Sequence, residues 1–283
     1  MRRKRSCLGC SRNIEFLDIK KNMEENKAEE KAIEKQKSEK SKPSEERIIE
    51  ERKKKVLSFL KVKKTWIFVL ILIGLMIFSV WLRTLPMHVR ANTGYPGLWD
   101  VTTNTWTLGP DLDPFLFLRW TKEIISHGSL PIYDTMRYVP LGFDTRGELL
   151  GLTYMIVLFH KALVSMGMSN SVDYSAVLFP AVLFSITVLV FFLLVRKMFD
   201  DNLDKNKSNI IALIASFFLI IIPALLPRTV AGIPEKESPG FLFMFLAFYL
   251  FISAWKSKKI TMEILLGLLA GLSTAAMAYV WGG

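Results

Sequence analysis

Two acid-x-acid pairs are the residues best placed to do chemistry. Asp111 and Asp113 sit in Gly-Pro-Asp-Leu-Asp-Pro, and Glu235 and Glu237 close the stretch Arg228-Thr-Val-Ala-Gly-Ile-Pro-Glu-Lys-Glu237. The second pair follows a strongly apolar run, 210–226, and a carboxylate beside hydrocarbon is costly enough to ask for a reason. Acids one residue apart share a face of an extended segment. Two such pairs converging from different loops would offer several hard oxygen ligands, the set that Mg²⁺ and Mn²⁺ prefer while keeping positions open for phosphate oxygens. Such a site at a membrane surface suits chemistry on a lipid-linked phosphate, because the metal offsets negative charge developing on the leaving group.

Each pair also has a plain reading. Asp113 precedes Pro114 and an apolar-aromatic run, Phe115-Leu-Phe-Leu-Arg-Trp120, the pattern of a helix N-cap with Pro in the first turn. Glu235 and Glu237 could be solvated loop charges that favour the positive end of a helix entered at Pro239. Lys236 between them is uncomfortable unless it points away. Arg119, Arg137, Arg146 and Arg228 could hold phosphate or sugar groups, or anchor the chain at the headgroup boundary. His88 and His127 stand outside any metal-ligand spacing, and the sequence holds no Gly-rich phosphate loop and no Ser-His-Asp set.

The elements that must position these residues are set by length and charge. The chain has 283 residues, 51% of them hydrophobic, in long uninterrupted runs that point to an integral all-α membrane protein. Residues 1–65 hold 21 Lys/Arg against 12 Asp/Glu, which is +9 of the formal +11 of the whole chain. The positive excess therefore lies in a tail, which excludes a nucleic-acid binder and suits a membrane-facing role. That tail is rich in Lys, Glu and Ser and cannot bury a core; a disordered segment or a marginal solvated helix is expected. Its Cys7 and Cys10 form a Cys-x-x-Cys pair without the second pair that a structural zinc site needs.

Apolar length predicts five spans, near 66–82, 174–195, 210–226, 240–255 and 262–281. Lys/Arg crowd the N-terminal side of the first span, so the tail is cytoplasmic and residue 84 onward is external. The segment 149–163 is only about 15 residues long, the length of an interfacial helix. If it crossed, Arg196, Lys197, Lys256, Lys258 and Lys259 would all fall outside. If it lies against the outer face, they fall inside together with Lys205 and Lys207, and the positive-inside rule holds throughout. The external loops are then 84–173, with its amphipathic helices, and 227–239. Both acidic pairs face the same compartment.

At these residues the chain resembles the N-terminal part of the catalytic subunit of oligosaccharyltransferase, in its archaeal or eukaryotic-like form. That family carries a stretch close to Arg-Ser-Val-Ala-Gly-Ser-Tyr-Asp-Asn-Glu, matched by Arg228 to Glu237, and an Asp-Pro-Tyr/Phe-Phe-x-x-Arg element, matched by Asp113 to Arg119. Tyr138-Val-Pro-Leu-Gly142 is similar to its Trp-Tyr-Pro-Leu-Gly, and Trp281-Gly-Gly283 to its Trp-Gly-Gly. The resemblance implies a GT-C membrane glycosyltransferase that moves an oligosaccharide from a dolichyl phosphate or diphosphate to Asn of Asn-x-Ser/Thr in an acceptor polypeptide. It implies Asp113 as the catalytic carboxylate that binds metal and acceptor amide, and Glu235 and Glu237 as further ligands of Mn²⁺ or Mg²⁺, with Asp111, Arg119 and Arg228 as motif neighbours. It also implies an archaeal cell membrane, or the endoplasmic reticulum in a eukaryote, with the site on the external or luminal face.

Three departures from the family are visible. Glu235 stands where the family has Asp. A later external-loop glutamate and the Trp-Trp-Asp-Tyr-Gly motif that reads the acceptor's Ser/Thr do not occur, so the chain is expected to be a fragment of a longer protein. The rival readings are another lipid-phosphate-sugar transferase, such as a protein O-mannosyltransferase, and a non-catalytic membrane remnant.

Overall fold

The computed structural model describes Arg52 and residues 66–88, 97–201 and 203–282. The chain divides into two units, Met1–Lys64 and Thr65–Gly283. The expectations for the charged tail and for Cys7 and Cys10 lie outside the described residues.

The second unit is helical, with two short hairpins. Among the described residues, four helices are long and apolar enough to cross a membrane: α1 (Trp66–Met87), α4 (Val172–Phe199), α6 (Glu237–Trp255) and α7 (Ile260–Val280). Between α1 and α4 lie the antiparallel pair β1 (Trp99–Asp100) and β2 (Thr105–Trp106), the helix α2 (Asp113–His127), a second pair β3 (Tyr133–Asp134) and β4 (Phe143–Asp144), and the helix α3 (Gly151–Ser165). The helix α5 (Lys205–Ile221) joins α4 to the second acidic loop.

The 28-residue α4 is the centre of the bundle. It is apolar all round and most of its span is buried, as expected of a helix surrounded by others. Ser171 caps it, accepting from the Tyr174 amide at 3.2 Å. Helices α5 and α6 pack on its flanks, and α7 packs on α6. Helices α1 and α7 leave most of their apolar side chains uncovered, including Leu70, Ile77, Leu268 and Leu272, as lipid-facing helices do.

The predicted span at 210–226 is displaced. The helix runs from Lys205 to Ile221, because Pro223 lacks a donor and Ile222 is already extended at φ −61°, ψ 123°. Its 17 residues reach about 26 Å at 1.5 Å per residue, short of a 30 Å hydrocarbon core. The predicted interfacial segment 149–163 is α3, a short apolar helix that buries Leu152, Ile156, Val157 and Leu163 against its neighbours.

Both ends of the bundle are fixed by directed bonds. At one end, Lys256 after α6 donates to the carbonyls of Lys197 (2.7 Å) and Met198 (3.1 Å) and pairs with Asp201 at 2.8 Å. This joins the two basic turns at the C-terminal end of α4. At its N-terminal end, the Gly232 amide donates to the Val177 carbonyl at 2.9 Å. The acidic loop and the basic turns therefore lie at opposite ends of α4.

The segment from 97 to 165 forms a cap over the N-terminal end of α4. Helix α2 buries Phe117, Leu118, Trp120, Thr121 and Ile124, an apolar stripe at helical spacing, and stops at Gly128 in the left-handed region, φ +83°. Lys122 pairs with Asp173 at 2.7 Å. The β3–β4 hairpin is pinned to α2 through Asp134, which is almost fully buried. Its carboxylate accepts from both Arg119 Nη atoms, from Trp120 Nε1 at 3.1 Å and from the Met136 amide at 3.1 Å. The Arg119 guanidinium holds Asp134 down to about 2, with desolvation opposing. On the other side of the cap, Trp99 and Trp106 meet edge to face at 5.4 Å, and Trp106 leans on Tyr174 of α4.

Candidate functional site

A cavity of about 320 Å³ opens where the two acidic loops meet. Asp113 and Phe117 enter it from the first turns of α2, Arg228 and Glu235 from the loop before α6, Lys236 and Glu237 from the start of α6, and Trp281 from the end of α7.

Two glycines bring the loops this close. The Gly109 amide donates to the Gly232 carbonyl at 2.8 Å, joining the chain just before Asp111 to the chain just before Glu235. Gly232 has φ +87°, and a Cβ there would lie 2.5 Å from Leu98 Cδ1 and 3.2 Å from the Gly109 nitrogen. The glycine of the Arg-Thr-Val-Ala-Gly stretch thus serves both a left-handed turn and a close backbone approach.

Asp113 is the first residue of α2, and the N-cap position belongs to Leu112, with no side chain capping the helix. The capping role weighed for Asp113 is therefore corrected. Pro114 takes the first turn, and the Asp113 carboxylate is left to face the cavity at the positive end of the α2 dipole. Glu237 stands in the first turn of α6 in the same way, so the dipole reading holds for it. It fails for Glu235, which is only 4% exposed and is not a solvated loop charge.

Glu235 is held by charge. Arg228 Nη1 donates to its Oε2 and lies 3.6 Å from Asp111 Oδ2. Burial first, then a hydrogen bond with Asp111 and the nearby Glu237 charge, push the Glu235 carboxyl up to about 7, with Arg228 opposing. Asp111 is held below the usual carboxylate range, first by the hydrogen bond from Glu235 and then by the Leu112 amide, which donates at 2.8 Å. The two shifts are opposite in direction.

The other candidates separate clearly. Lys236 does not point away: it lines the cavity, with its ammonium 5.4 Å from the centre of the Phe117 ring. Arg119 is engaged by Asp134, Arg137 by Glu148 at 3.5 Å, and Arg146 by Asp144 at 2.6 Å, so of the four arginines only Arg228 lines the cavity. Phe117 and Trp281, which entered the sequence reading only as parts of motifs, are lining residues of the cavity. Phe117 was findable, since four residues from Asp113 on a helix is the same face. Trp281 was not, because its place depends on α7 packing against α6: it covers Gly240, where a Cβ would sit 2.8 Å from its ring, and it meets Phe241 edge to face.

The donor chemistry of Asp113, Glu235 and Glu237 fits a hard divalent cation. Among the described residues, no three carboxylate, His or Cys groups are gathered closely enough to hold one. The cation neutralising Glu235 in this structure is Arg228.

Comparison with known proteins places this architecture. Residues 68–283 match the family described as Oligosaccharyl transferase STT3, N-terminal. The subunit STT3B of a dolichyl-diphosphooligosaccharide–protein glycosyltransferase from Oryza sativa subsp. japonica is 25% identical over 177 residues. That covers 61% of this chain and 23% of the relative, so the chain spans about a quarter of that protein's length. Among solved structures, the oligosaccharyltransferase of Archaeoglobus fulgidus, in complex with Zn and sulfate, superposes with a TM-score of 0.59 at 21% identity over 75% of this chain and 25% of its own. Oligosaccharyltransferase AglB from the same organism, in complex with an inhibitory peptide and a dolichol-phosphate, gives 0.60 at 22% over 78% of this chain and 24% of its own. At these identities the likeness is one of fold, and it bears out the GT-C-like architecture read from the sequence. The family match spans the bundle, the cap and all the acids of the site: this integral membrane chain belongs to the oligosaccharyl transferase STT3 family, in its N-terminal region.

Proposed function

We propose that this chain carries the carboxylate half of an oligosaccharyl-transfer site, moving an oligosaccharide from a dolichyl phosphate or diphosphate to the Asn of Asn-x-Ser/Thr in an acceptor polypeptide. The observation that carries the reading is that Asp113, Glu235 and Glu237, from two loops far apart in sequence, line one cavity within a family match to an oligosaccharyl transferase. The relative solved with a dolichol-phosphate and a peptide supports a lipid-linked donor and a peptide acceptor.

Asp113, Glu235 and Glu237 would hold Mn²⁺ or Mg²⁺. Bound there, the ion would supply counter-charge to the phosphate released from the sugar. The chain's own residues account for the rest. An amide nitrogen is a poor nucleophile because its lone pair is delocalised into the carbonyl. The Asp113 carboxylate, with no capping bond to make, accepts a hydrogen bond from the acceptor's NH₂ and weakens that delocalisation. Three lining carboxylates face two lining cations, and Lys236 offers its ammonium to a donor phosphate while Arg228 stays with Glu235. Phe117 and Trp281 give the cavity apolar walls against which a sugar or peptide can pack.

The placement of basic turns and acidic loops at opposite ends of α4 supports a cytoplasmic N-terminus and a site on the external or luminal face. In that topology α5 is the fifth span, its 17 residues completed by the apolar turn 222–226.

The test is a transfer assay with purified protein, Mn²⁺, dolichol-linked sugar and an Asn-x-Thr peptide. Transfer that is abolished by Asp113→Ala at unchanged thermal stability supports the reading. No transfer, or parent and Asp113→Ala behaving alike, refutes catalysis by this chain. In parallel, Mn²⁺ titration followed by electron paramagnetic resonance should show binding that Asp113→Asn and Glu237→Gln each weaken about tenfold or more.

A further inference from the structure

We propose that Arg83 is the positioning residue of the second acidic loop. It sits near the outer end of α1 and is fully buried, yet it has no carboxylate within ion-pair distance among the described residues. Its guanidinium lies over the Phe184 ring of α4, 3.5 Å from the ring centre. Nε donates to Thr229 Oγ1 at 3.0 Å, and Nη1 donates to the Ile220 carbonyl at 3.2 Å and to Ser79 Oγ at 3.4 Å. The Arg83 carbonyl accepts from the Ala231 amide at 2.9 Å.

These bonds join four elements at one residue: α1, the middle of α4, the last turn of α5, and the loop. The loop contacts fall on Thr229 and Ala231. Thr229 follows Arg228, which holds Glu235, and Ala231 precedes Gly232, which is tied to the first acidic loop. A buried cation without a counter-ion is costly, and an apolar side chain of similar length would fill the place without that cost. Nη2 is buried with no partner, so the residue is not held there by complete hydrogen bonding. What a guanidinium alone supplies is a planar fork whose donors reach the α5 carbonyl and the Thr229 hydroxyl at fixed angles, a geometry that a single ammonium cannot reproduce. Arg83 touches no residue that lines the cavity. It acts through Thr229 and Ala231 on Arg228 and Glu235, and in that sense it rests on the reading of the cavity as the transfer site.

The experiment is hydrogen–deuterium exchange by mass spectrometry on the whole chain in detergent, comparing the parent with Arg83→Met, Arg83→Lys and Thr229→Val. Ala231 and Gly232 donate amide hydrogen bonds in the structure and start out protected. In Arg83→Met and Thr229→Val, peptides covering 229–236 should exchange about fivefold faster or more, the effect of losing the Arg83–Thr229 hydrogen bond, to which Thr229→Val adds the loss of the bond to the Leu225 carbonyl. The interiors of α4 and α6 should be unchanged, and Arg83→Lys should fail to restore protection. Thr229→Val keeps the shape of the residue but also gives up the Thr229 bond to the Leu225 carbonyl at 2.7 Å, so Arg83→Lys, which leaves that bond in place, decides the question if Arg83→Met does not fold. Parent-like loop exchange in Thr229→Val, restored protection in Arg83→Lys, or acceleration spread evenly over α1, α4 and α5 each overturns the proposal. Exchange reads neither metal nor transfer, so a chain that shows no transferase activity leaves this test intact.

Discussion

Replacing Gly232 by alanine should damage this protein far more than the loss of one glycine suggests, and it should do so through Leu98. At φ +87° an alanine carries about 1 kcal/mol of backbone strain. Its methyl would sit 2.5 Å from Leu98 Cδ1, an overlap that forces a rearrangement costing about 2 kcal/mol more. Leu98 is itself buried, and Leu98→Ala should cost about 3 kcal/mol by leaving a cavity. If the two changes were independent, the double variant would lose about 6 kcal/mol. Because truncating Leu98 removes the colliding atom, the double variant should lose only about 4, a coupling of about 2 kcal/mol. Equilibrium unfolding of the four proteins by SDS in mixed micelles measures each corner of the cycle. Additivity to within about 0.5 kcal/mol would refute the collision with Leu98, and a Gly232→Ala variant as stable as the parent would refute the claim that the acidic loops meet through a space only glycine can occupy.

The same geometry sets three further outcomes. The Glu235 carboxyl is raised above its unfolded value, so the folded state binds its proton more tightly; stability measured in EDTA should fall as pH rises from about 4.5 to about 7, and Glu235→Gln should flatten that decline. Arg119→Met strands the buried Asp134 carboxylate, whereas Asp134→Asn keeps a hydrogen-bonding group in place; the first should lower the unfolding free energy more, by about 1–3 kcal/mol against about 1, and should expose the β3–β4 hairpin to limited proteolysis. Gly240→Ala places a methyl 2.8 Å from the Trp281 ring, and the displaced indole should show a red-shifted emission component absent from Trp281→Phe carrying the same change.

The parts of this site that charge could reveal were legible in the sequence. The basic residues at 196–197 and 256–259 predict both acidic pairs in one compartment, and the structure sets the basic turns and the acidic loops at opposite ends of α4. The parts that needed three-dimensional neighbours were not. Asp113 before a proline looks like a cap, but Leu112 takes the helical backbone one residue early and frees the carboxylate. The run 210–226 has the composition of a span, and only the extended Ile222 before Pro223 shows where the helix breaks. Lys236 could turn either way at its position, and the ring of Phe117 supplies the inward surface. Arg83 follows the first apolar run, and nothing local in the sequence distinguishes a buried arginine from an interfacial one.

The position of Trp281 in the cavity wall has a consequence for biosynthesis. Asp113 and Trp281 are separated by 168 residues of chain. At about 5–20 residues per second, roughly 8 to 34 seconds pass between the synthesis of the first acid and that of the tryptophan that walls it in. Arg228 and Glu235 are made within that interval, so they can reach the first loop before the tryptophan that walls the cavity exists. The wall supplied by Trp281 is therefore the last part of the cavity to be made, after the Gly109–Gly232 bond can already join the two acidic loops.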